Sequence, residues 1–213
     1  MYQFSSKTYV NKEYKLNDFL KQIKASKEVK EDAQVIDKIF FRNVITASSI
    51  NALEDAEYKN IYIIEIVLKE ERIPQSFIEL LDKNIAFHTY FVFEYNEKIS
   101  TMIAFKEVNT KVQIDKYYSH PFHKEKELQL PLVNSVSDVY KCLLAYEINI
   151  NYKKNEKPNE YINRVKQINK LNFQISKTEK AIIYETQPKK KFEYNERLRK
   201  YRKELNNLLS MEE

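Results

Sequence analysis

Residues 60–69 read NIYIIEIVLK. Almost every position is apolar and most are β-branched, the signature of a central strand covered on both faces, since a strand with one wet face alternates polar with apolar. Downstream, Pro74 opens a helix that runs to about Asn84 and buries Phe77, Ile78, Leu80 and Leu81. His88–Tyr95 is a second aromatic and β-branched strand. Asn96-Glu97 turns the chain, Ile99–Lys106 returns, Asn109-Thr110 turns it again, and Val112–Tyr118 closes a three-stranded meander. Upstream, Asn17 is placed to cap a short helix through Ala25. A second helix is expected from Glu28 to Phe41, because Val29, Ala33, Ile36, Ile39 and Phe40 follow the 3.6-residue period. Asn43–Ala47 then reads as a strand. The expected class is α/β: a mixed five-stranded sheet with flanking helices, spanning residues 1–150 and closed by a helix over Leu132–Ile148.

Asn149–Asn159 (NINYKKNEKPN) is polar and aperiodic, which places a boundary there. Beyond it, Ile162, Val165, Ile168, Leu171, Ile175 and Ile182 step by threes and fours, and Leu198, Tyr201, Leu205 and Leu208 do the same. Pro188 lies between the two runs. Proline fits the first turn of a helix and costs about 3 kcal/mol in its interior. The economical expectation for residues 158–213 is therefore an antiparallel helical hairpin, a short coiled coil, with one long helix kinked at Pro188 as the alternative.

The charge is uneven. Of the 36 Lys/Arg and 31 Asp/Glu, the stretch from Lys153 to the end holds 16 and 9, so the tail carries +7 and the rest −2. A basic tail on a near-neutral body suggests an anionic partner, nucleic acid or an acidic protein face. Lys189, Lys190, Lys191, Arg197, Arg199, Lys200, Arg202 and Lys203 are the candidate nucleic-acid- or partner-binding residues, because clustered cations bind phosphates by displacing counterions. The plain counter-reading is a solvated coiled-coil exterior balanced by Glu193, Glu196 and Glu204.

Glycine is absent, which removes the phosphate-binding P-loop, the dinucleotide fingerprint and the hydrolase nucleophile elbow. Asparagine is expected to take over turns that need a left-handed backbone. The single cysteine, Cys142, allows no internal disulfide. The start of the chain has no apolar run resembling a secretion signal, and no stretch approaches the ~20 apolar residues of a membrane span, so a cytoplasmic location with no membrane association is expected.

No catalytic constellation stands out. Glu65 and Lys69 on the central strand offer one alternative, a Mg²⁺-dependent nuclease with a degenerate restriction-endonuclease-like core. The spacing does not fit: Val67 occupies the position two after Glu65, and the second carboxylate could come from Glu54, Asp55, Glu57 or Asp82. His120-Pro121-Phe122-His123, in a loop bracketed by Pro121 and Pro131, could contribute to a zinc site with Glu125, Glu127 or Cys142, but two further ligands are unaccounted for. The expectation is therefore no metal and no cofactor.

Residues 61–95 (IYIIEIVLKEERIPQSFIELLDKNIAFHTYFVFEY), 101–107 (TMIAFKE), 130–144 (LPLVNSVSDVYKCLL) and 179–209 (EKAIIYETQPKKKFEYNERLRKYRKELNNLL) together resemble domain-of-unknown-function family 4391 nearly end to end. The features shared are a Pro-led helix ending in Asp-Lys-x-Ile, and a tail in which Glu185-x-Gln187 precedes a basic helix with Glu193-x-Asn195. Pro188 departs from the pattern. The resemblance implies a bacterial accessory or adaptor subunit of a restriction-like or anti-phage defence assembly. It would bind a helicase- or methyltransferase-type partner, with DNA as a further ligand of the hairpin. It supplies no catalytic residues. A coiled-coil homo-oligomer with structural duty is a further reading of the same tail.

Overall fold

The computed structural model describes residues 2–54, 57–108, 111–124, 128–129 and 133–210, which fall into two compact units, Met1–Ile150 and Asn151–Glu213. The first unit runs β1 (Tyr2–Gln3), β2 (Tyr9–Tyr14), α1 (Leu16–Gln22), α2 (Lys27–Asp32), β3 (Ile36–Thr46), β4 (Asn60–Leu68), α3 (Gln75–Asn84), β5 (His88–Tyr95), β6 (Lys98–Val108), β7 (Val112–Lys124), β8 (Leu128–Gln129) and α4 (Val136–Ile148). Six strands form one mixed sheet in the order β2-β3-β4-β5-β6-β7, and β1 pairs with β8 in a separate two-stranded ladder. Every neighbouring pair in the large sheet is antiparallel except β4–β5. That pair is parallel because α3 carries the chain back between them, a crossover too long for a hairpin.

The central strand is covered as its composition requires. Ile64, Ile66 and Leu68 face one side, where they pack with Phe77, Ile78 and Leu81 of α3, Ile39 of β3, Phe91 and Phe93 of β5 and Met102 of β6. Ile61 and Ile63 point to the other side and are equally buried. On that side α4 reaches the sheet through Tyr140. Its hydroxyl donates to the Ala104 carbonyl (2.7 Å) and accepts from the Lys106 amide (2.9 Å), where the β6–β7 register slips between Ala104 and Lys106. His88 Nε2 lies 3.0 Å from the Lys106 carbonyl, which can only accept, so that nitrogen carries the proton. The bulge thus leaves none of these three backbone groups unpaired.

Between α3 and the sheet lies a buried ion pair. Lys106 Nζ donates to Asp82 Oδ1 at 2.8 Å and to the Asp82 carbonyl at 2.7 Å, and both side chains are only 1% exposed. Tyr117 donates to Asp82 Oδ2 at 3.0 Å and Thr89 donates to Oδ1. Burial pulls the Lys106 ammonium below its ordinary value, and the charge and hydrogen bond of Asp82 act in the opposite direction.

The architecture departs from the sequence expectation in five places. The first helix starts at Leu16 with Lys15 at its N-cap, so Asn17 lies inside it and does not cap it. The sheet has six strands, not five, because β2 has no counterpart in the expectation, and β3 extends well upstream of the strand expected at Asn43–Ala47. The helix expected over Glu28–Phe41 stops at Asp32, and Ile36–Thr46 is a strand. Its register against β4 shifts between Ile36 and Lys38 and again between Phe41 and Asn43. The first shift places Ile36 and Ile39, three apart, in the same core cluster, which imitates helical spacing. The segment from His120 to His123 is strand rather than loop: β7 runs on to Lys124. Pro121 is tolerated there because β7 is an edge strand. Finally, the closing helix begins at Val136, where Ser135 accepts from the Asp138 amide as its cap, and not at Leu132. The turn at Asn109-Thr110 and residues Pro131 and Leu132 lie outside the described residues.

Positive-φ backbone falls as a glycine-free chain demands. Asn11, Asn51, Asn96, Asn149 and Asn155 adopt it, joined by Lys24 and Glu97. Asn96 and Glu97 are consecutive and join Tyr95 to its cross-strand partner Lys98, a two-residue turn with both central residues left-handed. Asn149 ends α4, its amide returning to the Ala145 carbonyl.

The second unit holds α5 (Pro158–Tyr184) and α6 (Pro188–Leu209), each opening on proline. Arg164 fixes their antiparallel course. Its guanidinium grips Glu156 at 2.6 and 2.8 Å, donates to the Asn151 carbonyl at 2.8 Å, and donates to the Leu208 carbonyl in the last turn of α6 at 3.2 Å. Toward the other end Arg202 pairs with Glu179 at 2.7 Å. Burial raises the Glu156 carboxyl, but the Arg164 hydrogen bonds, the Lys153 amide and the charges of Arg164 and Lys153 together outweigh it, and its pKa lies below the ordinary value of 4.5.

Two outcomes follow. Lys106→Met strands the buried Asp82 carboxylate and should cost about 3 kcal/mol or more in urea unfolding of the first unit, whereas the exposed Lys83→Met should change it by less than about 0.5 kcal/mol. A carboxyl depressed in the folded state stabilises above its unfolded pKa and loses that contribution as pH falls through the folded value. The hairpin helices should therefore melt earlier by circular dichroism as pH falls below the ordinary carboxyl value of 4.5 and on through the lower folded-state value, and Glu156→Gln should flatten that part of the pH dependence.

Candidate functional site

All eight cations singled out in the sequence lie on α6 and are exposed, while Leu198 between them is buried. The helix does not gather them on one face. Tyr194, Leu198, Tyr201 and Leu205 turn one side inward, and the cations spread over the rest, interleaved with Glu193, Glu196 and Glu204. Arg202 is committed to Glu179, and Arg197 lies over the Tyr194 ring at 5.9 Å. Lys189, Lys190 and Lys191 differ from the others. They fill the first turn of α6, which holds no acidic residue, and they sit where the helix dipole is already positive. Exposed apolar side chains flank the same turn: Ile183 at 73%, Tyr184 at 82% and Phe192 at 67%.

Glu65 and Lys69 do not form a metal-holding pair. Glu65 accepts from Arg42 Nε at 2.8 Å and Nη2 at 2.5 Å, and Arg42 also bonds Asn11 and covers the Phe40 ring at 4.1 Å. The Glu65 hydrogen bond is the main reason the Arg42 guanidinium is raised above its ordinary value. Lys69 lies one residue past β4, and its ammonium donates to the Gln34 carbonyl at 3.1 Å. Asp82, a proposed second carboxylate, belongs to the Lys106 pair, which involves the sheet face opposite Glu65. Asp55 is outside the described residues. Among the described residues no group of three His, Cys, Asp or Glu is placed to hold a metal ion.

The two histidines of the HPFH segment come near one another, with ring centroids 6.4 Å apart, but His120 is held by a residue the sequence did not suggest. Glu147 on α4 accepts from His120 Nδ1 and from the Tyr90 hydroxyl, each at 2.8 Å, and its side chain is fully buried. Burial, and then the Glu147 charge, push the Tyr90 phenol well above its ordinary value. The arrangement orients one imidazole and anchors α4 on β5 and β7. Glu147 lies 57 residues from Tyr90 and 27 from His120, so no local pattern marks it. Cys142 is buried on α4, while Glu125 and Glu127 lie outside the described residues.

The sequence profile of Domain of unknown function (DUF4391) matches residues 4–205, which include the sheet, α3, α4 and nearly all of the hairpin. The chain belongs to the DUF4391 family. No curated protein and no solved structure matches it. The DUF4391 match covers the two units together, so the basic hairpin is part of the family's own domain rather than an appendage to it. No helix among the described residues is long and apolar enough to cross a membrane.

With Glu65 held by Arg42, millimolar Mg²⁺ should shift the thermal midpoint of the wild-type protein by less than about 1 °C, because only a ligand that binds the folded state raises it. Glu65→Gln should lower that midpoint by differential scanning fluorimetry with or without Mg²⁺.

Proposed function

We propose that this DUF4391 protein is a non-catalytic adaptor subunit of a bacterial restriction-like or anti-phage defence assembly. In this reading the hairpin turn docks on a helicase- or methyltransferase-type protein, and DNA is a further ligand of the basic arm. The carrying observation is the turn between α5 and α6. There Ile183 and Phe192 are exposed beside Lys189, Lys190 and Lys191. Exposed apolar side chains rimmed by charge are characteristic of protein interaction sites, and three lysines at a positive helix end favour an acidic rim on the partner. The body supports the same reading. Its polar residues with the strongest chemical potential, Asp82, Lys106, Glu147 and Glu65, are all used in internal contacts.

The test is tandem affinity purification of the tagged full-length protein from its native host after exhaustive nuclease treatment, followed by mass spectrometry. A stoichiometric ATPase or methyltransferase subunit is expected to remain. Ile183→Asp with Phe192→Asp should remove it, and Lys189→Glu with Lys190→Glu should weaken it by roughly tenfold or more. Arg202 is unsuited to charge reversal, because it would break the Glu179 pair that holds the hairpin. Retention of the partner by both variants would sink the docking surface.

A further inference from the structure

The outer face of α5 carries a feature that the charge count of the tail conceals. Lys166, Lys170, Phe173, Lys177, Lys180 and Tyr184 follow one another by steps of four and three, so they form a single stripe along the helix. These are all the lysines of α5, and all six residues are exposed. The two acids of α5 are elsewhere on its circumference: Glu160 closes on the Lys157 amide, and Glu179 faces Arg202. The residues beside the stripe are neutral and polar, among them Asn163, Asn169 and Ser176. Its two rings stand open to solvent, Phe173 at 71% and Tyr184 at 82%. The stripe extends over eighteen residue steps, about 27 Å of helix, with the rings about 16 Å apart.

We infer that this stripe is a binding surface for single-stranded nucleic acid, with Lys170, Lys177 and Lys180 on the phosphates and Phe173 and Tyr184 stacked on unpaired bases. The inference deepens the hairpin reading, and rests on it only in taking the arm as an interaction surface. The chemistry selects this occupant over the others. A row of lysines without acids attracts a polyanion and sets no pairing register, which suits a repeating phosphate backbone. Charged residues are depleted at the core of protein interfaces, and here lysines run along the whole stripe instead of rimming an apolar centre, so an acidic protein face fits less well. A membrane surface is disfavoured because the rings and lysines interleave on one stripe instead of occupying opposite faces of the helix. A duplex hides its bases, whereas a single strand presents them to exposed rings.

The experiment is fluorescence anisotropy with the full-length protein, an oligothymidylate of about 16 nucleotides, and a duplex of equal length. Lys170→Glu/Lys177→Glu/Lys180→Glu should weaken single-strand binding by at least roughly tenfold and reduce the log–log salt slope by about 2. Phe173→Ser/Tyr184→Ser should weaken single-strand binding by at least roughly fivefold and leave duplex binding unchanged. All five side chains are exposed, and helical circular dichroism confirms that each variant is folded. Lys189→Glu/Lys190→Glu should change single-strand affinity by less than about threefold, and the α5 lysine variant should still retain the protein partner in the purification above. An unchanged affinity in the α5 lysine variant overturns the inference. So does equal loss from the α6 variant, equal binding of the duplex with no effect of the ring substitutions, or tighter binding to polyglutamate or to anionic vesicles than to the oligonucleotide. Failure of the protein docking reading alone would leave these affinities as they are.

Discussion

Asp82 and Lys106 could not each occupy their positions alone. An isolated charge moved from water to the interior costs several kcal/mol even after relaxation, and its partner repays this only when the remaining hydrogen-bonding positions are filled. Here the Asp82 carboxylate accepts three hydrogen bonds, and the groups involved come from four elements. Asp82 is on α3, Thr89 on β5, Lys106 on β6 and Tyr117 on β7. Lys106 also receives contacts from the opposite layer, where its amide meets the Tyr140 hydroxyl of α4 and its carbonyl meets His88. One residue therefore ties the helices of both layers to the same point of the sheet. The bulge at Ala104–Lys106 is what lets its backbone and its side chain serve opposite faces.

The parts of this architecture that the sequence made legible are those set by local rules. The run of Ile and Val in β4, the Pro-led α3, the aromatic meander and the two long helices each depend on period, composition or proline, and each appears where those rules place it. The first half of β3 was illegible because the register shift between Ile36 and Lys38 gives a strand the apolar spacing of a helix, whereas its second half reads as a strand from Asn43 onward. β2 was missed for a different reason: its residues are mostly exposed, so burial imposes no apolar alternation on them. The site was less legible than the fold. Glu147 and Asp82 acquire their roles from partners brought close only by the sheet and the packing of α3 and α4, and neither has a distinctive neighbour in the chain.

The cations of the second unit divide by chemistry. Two arginines do internal work: Arg164 joins the start of α5 to the end of α6, and Arg202 pairs across the hairpin with Glu179. The planar fork of arginine suits it to several fixed acceptors at once. The lysines of α5 face water, and so do Lys189, Lys190 and Lys191. Lysine is a point charge on a flexible stem, able to follow a partner whose own charges are not in a fixed geometry. Counting all sixteen tail cations as one basic cluster therefore overstates what is available to a ligand. The exposed charge is mostly lysine, and it is least interrupted by acids on two stretches, the α5 stripe and the first turn of α6.

Those surfaces differ in what holds them in place. The first turn of α6 sets three lysines against a like-signed helix end, a local cost of about 0.3–1 kcal/mol each, and the turn itself holds no acidic residue. A local rule broken without internal compensation is most often found at a functional position. The α5 stripe breaks no helix rule, since lysine is a good helix former, and its abnormal members are the rings. Solvated phenylalanine forfeits the burial that normally stabilises it, at about 25 cal/mol per Å². A helix under no constraint but solubility would carry polar residues at positions 173 and 184. The two anomalies thus have different physical origins, electrostatic at the turn and hydrophobic along α5, and a partner for one need not satisfy the other. A protein face docked at the turn would leave the stripe open, so the hairpin can hold a subunit and a nucleic-acid strand at the same time.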